Sequence, residues 1–212
     1  MSAFPADRKV SEKSCTQVCF FGDCLYLYKI EFRTVPEPLQ KMEKCLIVAI
    51  ADNRAIGKDN ALLWHIAEDM KYFRRTTTGC PVVMGYMTFK SIGGRPLPKR
   101  DNVVISIFPW PDRPEGVKVA GNLEDAYSLI AEDHREENVK VFVMGGGETY
   151  RQALPTADKL YVTHVRTVIE GADTFFPVID PAIWEVESCE PAATDPETGY
   201  GYEFTVYRRR KA

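Results

Sequence analysis

Residues 139–154 read VKVFVMGGGETYRQAL, and this stretch decides the fold. Its first five residues form a short β-branched and aromatic run, which is typical of a buried parallel strand. Three glycines follow, and because they lack a Cβ they let the backbone turn sharply and let a ligand approach it closely. Residues 148–154 then predict a helix that ends at Pro155, so its free amide groups would face a phosphate on the glycines. A tight corner that binds nothing is the alternative interpretation.

The same pattern of strand, glycine and helix occurs earlier in the chain. Residues 81–84 predict a buried strand, Gly85 follows it, and residues 88–92 have helical character. Two such turns in one α/β domain could hold two phosphates of one dinucleotide, which is a stronger indication than either turn alone.

The remaining pattern predicts an alternation of strands and helices. Apolar runs predict strands at 45–51 and 102–107, a short strand is predicted at 117–119, and alternating apolar and polar residues predict another at 159–165. Helices are predicted at 66–77 and at 122–130, where Asn122 is the N-cap, and 184–187 and 202–207 predict an antiparallel pair. The fold class is therefore α/β, a single domain with a central, mostly parallel, twisted sheet flanked by helices and a C-terminal antiparallel strand pair.

One carboxylate lies on the apolar face of the first predicted helix. Ile66, Met70, Phe73 and Thr77 recur at helical spacing, and Asp69 falls on the face that they form. Burial of an unpaired carboxylate raises its pKa or destabilises the fold, so such a group is usually paired or functional. An aspartate at the edge of the stripe that reaches water is the alternative.

The segment between the first strand and this helix, residues 52–65, is rich in turn formers. It nevertheless contains the large apolar residues Ile56, Leu62, Leu63 and Trp64. Long loops with such residues are often lids over a ligand. Two ordinary turns that pack the tryptophan on the core are the alternative.

Composition excludes several classes of function. The 212 residues are 45% hydrophobic and 27% charged, with a net charge of -3 and a pI near 5.7, so we expect no nucleic-acid partner. The six cysteines form no CxxC pair and the three histidines have no metal-ligand spacing, so we expect no metal and a reduced, cytoplasmic setting. No apolar run approaches the roughly 20 residues that span a bilayer, so we expect no membrane partner.

The N-terminal 41 residues differ from the rest of the chain. They carry mixed charge, show no sustained period, and end in a proline-containing segment, so we expect them to be disordered or outside the fold. The apolar run at 18–28 is interrupted by Asp23 and lacks a small-residue cleavage site, so it is not predicted to be a signal peptide. We expect a catalytic domain at 42–212 and a natural start at Met42.

Several motifs, in unbroken order from about Lys44 to the C-terminus, together resemble dihydrofolate reductase. The motifs are Ile56-Gly57 with 60–64, Asp69 with Phe73, 83–85 with Thr88-Phe89, 95–98 with Arg100, 144–148 with Tyr150, and Asp173-Thr174 with Phe176-Pro177. Each motif alone would be a weak indication, whereas their combination at the family's spacings is specific.

The resemblance implies reduction of 7,8-dihydrofolate to tetrahydrofolate by NADPH, which supplies one-carbon metabolism and thymidylate synthesis. It implies that Asp69 binds the pterin ring and supports protonation at N5, with Thr163 bonded to its carboxylate, and that Leu62 and Trp64 form the lid. Arg100 would hold the α-carboxylate of the substrate's glutamate tail, because a guanidinium matches a carboxylate with two hydrogen bonds. The partners implied are dihydrofolate and antifolate inhibitors, and we expect a monomer.

The resemblance also implies two sets of binding residues. The substrate set is Ile47, Ala49, Asp69, Met70, Phe73, Ile92, Leu97, Arg100, Met144, Tyr150 and Thr163. The cofactor set is Ala49, Ile56, Gly57, Asn60, Ala61, Leu62, Gly85, Tyr86, Met87, Thr88, Ser106, Ile107, Met144, Gly145, Gly146, Gly147, Glu148, Thr149 and Tyr150.

The chain departs from the family pattern at the adenosine side of the cofactor. Tyr86 and Ile107 stand where members that choose NADPH commonly place basic residues, and Glu148 adds a negative charge nearby. We expect NADPH as the cofactor, with NADH used unusually well, Tyr86 stacking on adenine, and Arg113 as a possible source of positive charge. Leu63 in place of a proline and the extra Gly94 are smaller departures.

Two rival functions remain open. The related pyrimidine reductase of riboflavin synthesis shares the fold and cofactor, but it should lack the combination of Asp69 with Arg100. A noncatalytic dinucleotide-binding protein would have no reason to keep a carboxylate in an apolar stripe.

Overall fold

The computed structural model describes residues 15–21, 24–30, 42–135 and 138–211. The chain divides into two compact units, Met1–Glu37 and Pro38–Ala212. Across the described residues, no helix combines the length and the apolar character needed to cross a bilayer.

The first unit contains an antiparallel pair of strands. β1 (Cys15–Phe21) pairs with β2 (Cys24–Ile30), from Cys15 opposite Ile30 to Phe21 opposite Cys24. No strand was predicted for these two runs, which lie in the segment that we expected to be disordered or outside the fold. Both are rich in aromatic and branched residues, and Gly22-Asp23 between them is a turn-forming dipeptide, a local signal that a search for long periods misses.

The second unit is built on a large mixed sheet. Its strands are β3 (Met42–Ala51), β5 (Val82–Gly85), β6 (Asn102–Ile105), β7 (Val117–Ala120), β8 (Val139–Val143), β9 (Lys159–Arg166), β11 (Trp184–Cys189), β12 (Ala193–Thr194) and β13 (Gly201–Arg209), while β4 (Ala55–Gly57) pairs separately with β10 (Thr174–Phe175). Among the described residues, the nine-stranded sheet has the order β11-β13-β9-β3-β8-β5-β6-β7, with β12 beside β13.

The pairing within this sheet confirms the predicted fold class. All neighbours from β9 to β7 run parallel, whereas β13 pairs antiparallel with β9 and with β11. The helices are α1 (Ala67–Thr77), α2 (Tyr86–Ser91), α3 (Leu123–Asp133) and α4 (Gly147–Ala153). Asn122 caps α3 as predicted, because its side-chain oxygen accepts a hydrogen bond of 2.8 Å from the amide of Asp125.

The central strands are buried on both faces. In β3, Leu46 and Val48 belong to one hydrophobic cluster, whereas Cys45 and Ile47 belong to the cluster on the opposite face. This alternation follows from the two-residue period of a strand, and it explains why the sequence shows continuous apolar runs. The carboxyl ends of these strands are thereby held rigidly at one edge of the sheet.

Two differences from the sequence-based expectation have an identifiable physical reason. The strand predicted at 102–107 ends at Ile105, because the hydroxyl of Ser106 donates to the carbonyl of Phe108 at 2.9 Å and turns the chain. Thr174 and Phe175, for which no strand was predicted, form β10. The sequence gives no local signal for this strand, because its partner β4 lies more than a hundred residues away.

Candidate functional site

A cavity of about 970 Å³ opens at the carboxyl ends of the parallel strands. Gly85, Ile105 and Met144 lie at or just after the ends of β5, β6 and β8, and all three line the cavity. This position is where open α/β sheets usually bind ligands, and the volume lies at the upper end of the usual range for such pockets.

The cavity brings together nearly all of the residues predicted for the site. Both predicted sets line it completely except for Leu97 and Arg100, and Trp64 of the predicted lid lines it as well. The residues that sequence reasoning did not assign to the site are Val48, Leu63, Ile66, Ser91, Ile105, Phe108, Arg151, Asp173, Thr174 and Phe175. Asp173 and Thr174 were recognised as part of a motif, which was the signal that could have assigned them.

Asp69, one of the carboxylates that line the cavity, is hydrogen-bonded to Thr163. The hydroxyl of Thr163, on β9, donates a hydrogen bond of 2.6 Å to Oδ1 of Asp69, on α1. Thr163 lies beside Ala49 in the parallel pairing of β3 and β9, so the sheet holds this hydroxyl under the helix. Burial raises the pKa of Asp69 above its ordinary value, and the bond from Thr163 opposes part of that rise.

The face of α1 that carries Asp69 mainly lines the cavity and contributes less to the hydrophobic core. Asp69, Met70 and Phe73 line the cavity, and Met70 remains substantially exposed because it borders open space. The helix is anchored instead by Tyr72, which is buried and stacks on Phe204 with ring centroids 4.2 Å apart. Asp69 is thus held on an anchored helix and is not an aspartate that simply escapes to water.

Tyr150 forms part of the cavity wall and links α4 to β3. Its hydroxyl donates a buried hydrogen bond of 2.6 Å to the carbonyl of Ile47. Burial, with a smaller contribution from the charge of Asp69, raises the pKa of Tyr150 far above its ordinary value, so the ring stays neutral. Tyr150 therefore acts as a fixed hydrogen-bond donor that connects α4, the helix after the glycine turn, to β3.

The glycine turn follows β8 and lies against Thr88 of α2. Gly145 has a φ of +128°, its carbonyl accepts a hydrogen bond of 2.8 Å from the amide of Gly85, and its peptide bond to Gly146 is cis. A Cβ on Gly146 would come within 3.1 Å of Oγ1 of Thr88, and one on Gly147 within 2.9 Å of Cγ2 of Thr174. Glycine at these positions therefore lets the turn after β8 pack closely against Thr88 of α2 and Thr174 of β10, and it leaves backbone and hydroxyl groups facing the cavity.

The predicted lid segment borders the cavity, and its connection to the rest of the domain runs through β4 and β10. Leu62 lines the cavity yet is largely exposed, while Trp64 packs against one hydrophobic cluster. The carboxylate of Asp173 accepts a hydrogen bond of 2.7 Å from the amide of Asp59, which ties the segment to the residues just before β10. A loop that covers a bound ligand is expected to have residues that line the cavity and stay exposed until the ligand is present.

Leu97 and Arg100, two residues of the predicted substrate set, are not among the described residues that line the cavity. Leu97 packs against the core and is bonded through its backbone to the side chain of Asn102. The guanidinium of Arg100 donates to Oγ1 of Thr77 at 2.9 Å and to the carbonyl of Arg74 at 3.3 Å, at the C-terminal end of α1. These acceptors satisfy the guanidinium, which lies 5.6 Å from the ring of Phe73, a residue of the cavity wall.

The adenosine side predicted from the sequence is an apolar rim. Tyr86 meets Trp110 edge to face, with centroids 4.9 Å apart, and both residues pack against the core. Arg113, considered as a source of positive charge, is not among the described lining residues, and its Nε donates to the carbonyl of Val117 at 3.1 Å. The structure therefore does not supply the positive charge at Arg113 that the sequence analysis considered.

Comparisons with known proteins agree with this geometry. A family model described as dihydrofolate reductase matches residues 44–209. The chain is 42% identical to a dihydrofolate reductase of Haemophilus influenzae over 167 residues, 78% of this chain and 98% of the relative, and 37% identical to that of Bacillus subtilis over 166 residues, 78% of this chain and 94% of the relative. It is also similar to a solved dihydrofolate reductase from Enterococcus faecalis, complexed with NADP(H) and RAB-propyl, with a TM-score of 0.70 and 31% identity over 80% of this chain and 97% of that one.

Proposed function

Because the chain belongs to the dihydrofolate reductase family, we propose that it reduces 7,8-dihydrofolate to 5,6,7,8-tetrahydrofolate with NADPH. The observation that carries this proposal is the half-buried carboxylate of Asp69, which is held by Thr163 inside a cavity that also contains the glycine turn. The family explains why these groups share one cavity, since substrate and cofactor must meet there.

The residues of the cavity fit both ligands. A flat pterin ring can lie between Ile47, Met70 and Phe73, with polar atoms of the ring bonded to Asp69. The glycine turn and the hydroxyl of Thr88 offer neutral donors to phosphates, in the space that glycines keep open. NADPH, when bound, supplies the hydride for C6 of the pterin.

Asp69 would manage the proton that accompanies the hydride. Oδ1 accepts the hydrogen of Thr163, which leaves Oδ2 to face the substrate. Burial brings the pKa of Asp69 closer to neutral pH than that of an exposed aspartate. The negative charge of the carboxylate would favour the protonated form of the pterin. The group therefore biases protonation at N5 without a nucleophile or a metal ligand.

The segment that contains Leu62 and Trp64 would exclude water while the rings are in contact. Water exclusion strengthens the electrostatic effect of Asp69, and it helps to keep the pterin and nicotinamide rings in the arrangement that hydride transfer needs. We assign Arg100, which lies at the end of α1 beside the wall residue Phe73, to the α-carboxylate of the substrate's glutamate tail. We also propose that the protein acts as a monomer in the cytoplasm.

The test is a steady-state assay of NADPH oxidation that depends on added dihydrofolate. We expect turnover with dihydrofolate, inhibition by a methotrexate-type antifolate, and no oxidation with the ribosylamino-pyrimidine substrate of the related reductase. Turnover only with the pyrimidine would assign the chain to the riboflavin reaction. Tight NADPH binding without turnover of either substrate would indicate the noncatalytic alternative.

A further inference from the structure

One row of side chains on α1 contacts successive strands at the end of the sheet. Asp69, Tyr72 and Arg75 follow one another at intervals of three residues, so they lie along one side of the helix. Asp69 accepts the hydrogen bond of 2.6 Å from Thr163 of β9, and Tyr72 stacks on Phe204 of β13 with ring centroids 4.2 Å apart. The third contact, that of Arg75, is made just after β11.

The outer end of the row closes the stack of the two rings. An amino group of Arg75 donates to both carboxylate oxygens of Glu190, at 2.9 and 3.2 Å, and Glu190 directly follows β11. The guanidinium lies 4.8 Å from the ring centroid of Tyr72 and 5.7 Å from that of Phe204. The amide of Glu190 in turn donates to the carbonyl of Phe204 at 2.9 Å. The ring of Tyr72 is therefore held from two sides.

The spacing of the row matches the spacing of the sheet. Three residues of an α-helix rise about 4.5 Å, and neighbouring strands lie about 4.8 Å apart. Because β9, β13 and β11 are neighbours in that order, each third residue of α1 meets the next strand. The helix cannot slide along its axis without breaking contacts to all three.

The contact of Tyr72 is coupled directly to that of Asp69. Phe204 stands opposite Thr163 in the pairing of β13 with β9, and opposite residues lie side by side on one face of a sheet. Two neighbouring positions of the helix thus rest on two neighbouring positions of the sheet. Tyr72 itself is buried and is not among the described residues that line the cavity, so any effect on the reaction passes through Asp69.

We propose that Tyr72 is a positioning residue, and that its stack on Phe204 fixes where the free oxygen of Asp69, Oδ2, meets the substrate. The inference rests on the proposed function. Without the stacked ring, α1 can shift over β9, and Asp69 can keep its bond to Thr163 only by turning Oδ2 away from the pterin. Such precision matters because a misplacement of about 1 Å can cost about a hundredfold in rate.

The test measures dihydrofolate turnover in Tyr72→Leu and Tyr72→Phe, each alone and combined with Asp69→Asn. Tyr72→Leu should lower kcat by about tenfold to a hundredfold and leave KM for NADPH unchanged. Tyr72→Phe keeps the ring and should retain turnover. Once Asp69→Asn has removed the carboxylate, Tyr72→Leu should cause no further loss. Unchanged kcat in Tyr72→Leu, an equal loss in Tyr72→Phe, or a loss that adds to that of Asp69→Asn would each overturn the proposal.

A matched control is Tyr127→Leu, the same change at a buried ring of α3 that is not among the described lining residues. Both leucine variants should melt at a lower temperature, but only Tyr72→Leu should lose turnover when assayed well below its melting temperature. Equal losses of turnover would indicate a general effect of destabilisation and refute positioning. Should Tyr72→Leu fail to fold, Arg75→Gln removes the exposed outer contact instead. Its smaller loss of kcat should likewise vanish in the Asp69→Asn background, and unchanged kcat would contradict the proposal.

A second measurement needs no substrate. At neutral pH, Asp69→Asn should raise the melting temperature less in Tyr72→Leu than in the wild type, because a displaced carboxylate is no longer held away from water. An equal rise in both backgrounds would show that Tyr72 does not hold Asp69 in place. A wild type without dihydrofolate turnover would refute the proposed function, and these melts would still decide whether Tyr72 positions Asp69.

Discussion

Asp69→Asn removes the ionisable group from the cavity while keeping its size and an oxygen that can accept the hydrogen bond of Thr163. If Asp69 supports protonation of the pterin, the variant should still fold and bind NADPH but lose about 10²- to 10⁴-fold in turnover at neutral pH, the usual contribution of acid and base assistance. This loss corresponds to about 3 to 5 kcal/mol in the activation barrier.

The same substitution should stabilise the fold. Burial raises the pKa of Asp69 in the folded chain, so the folded state binds this proton more tightly than the unfolded chain does. Ionisation of Asp69 consequently lowers the free energy of unfolding as the pH rises from the ordinary carboxyl range through the raised pKa. Asparagine has no such loss, so the variant should melt at a higher temperature than the wild type at neutral pH. In acid, where the wild-type carboxyl is protonated in both states, the difference should disappear.

The measurements are dihydrofolate-dependent loss of NADPH absorbance and thermal melts followed by circular dichroism from acid to neutral pH. Glu68→Gln is the matched control, because this neighbouring carboxylate forms an exposed ion pair with Lys71. Such a surface pair is worth about 1 kcal/mol or less, so turnover and melting should stay near the wild type. Near-normal turnover of Asp69→Asn at neutral pH would remove Asp69 from the mechanism, and a lower melting temperature would refute the burial argument.

Three further perturbations probe the surrounding structure. Tyr150→Phe deletes the buried bond to the carbonyl of Ile47, so the free energy of unfolding should fall by about 1–2 kcal/mol in urea titrations, and an unchanged midpoint would contradict this role. Asp173→Ala frees the amide of Asp59 and should lower turnover several-fold with little change in melting temperature, whereas equal losses of both would indicate a purely structural contact. A chain that begins at Met42 should match the full chain in expression, melting temperature and turnover. A marked loss of melting temperature or turnover would show that the preceding segment packs on the domain.

The sequence was most informative where the signal is local. Continuous apolar runs located the parallel strands within a few residues, because a strand buried on both faces cannot alternate with polar residues. The helical stripe placed Asp69 on the inward face of α1, and the structure confirms that this face borders the cavity. The short strand β10 was missed, since its partner β4 is distant in sequence and neither has a period long enough to detect.

The adenosine side shows where residue identity alone was insufficient. The sequence identified Tyr86, Ile107 and Glu148 as departures, but it offered Arg113 as the nearby cation and did not consider Arg151. In the structure the guanidinium on the cavity wall belongs to Arg151, because α4 turns that face toward the site, while Arg113 is bonded to the backbone of Val117. The choice between two arginines depends on helix orientation, which no single spacing reveals.

The sequence by itself determined the α/β class, the glycine turn, and which residue types can handle a proton and bind phosphates. It could do so because the strand period, the helix period and the conformational freedom of glycine each act over a few neighbouring residues. Only the tertiary structure decided which of those groups meet. The bond between Thr163 and Asp69 joins residues 94 apart, and that between Asp59 and Asp173 joins residues 114 apart. The tertiary structure also placed the guanidinium of Arg100 at the C-terminal end of α1. Such pairings follow from sheet order and from competition among nearby acceptors, and both exist only once the chain has folded.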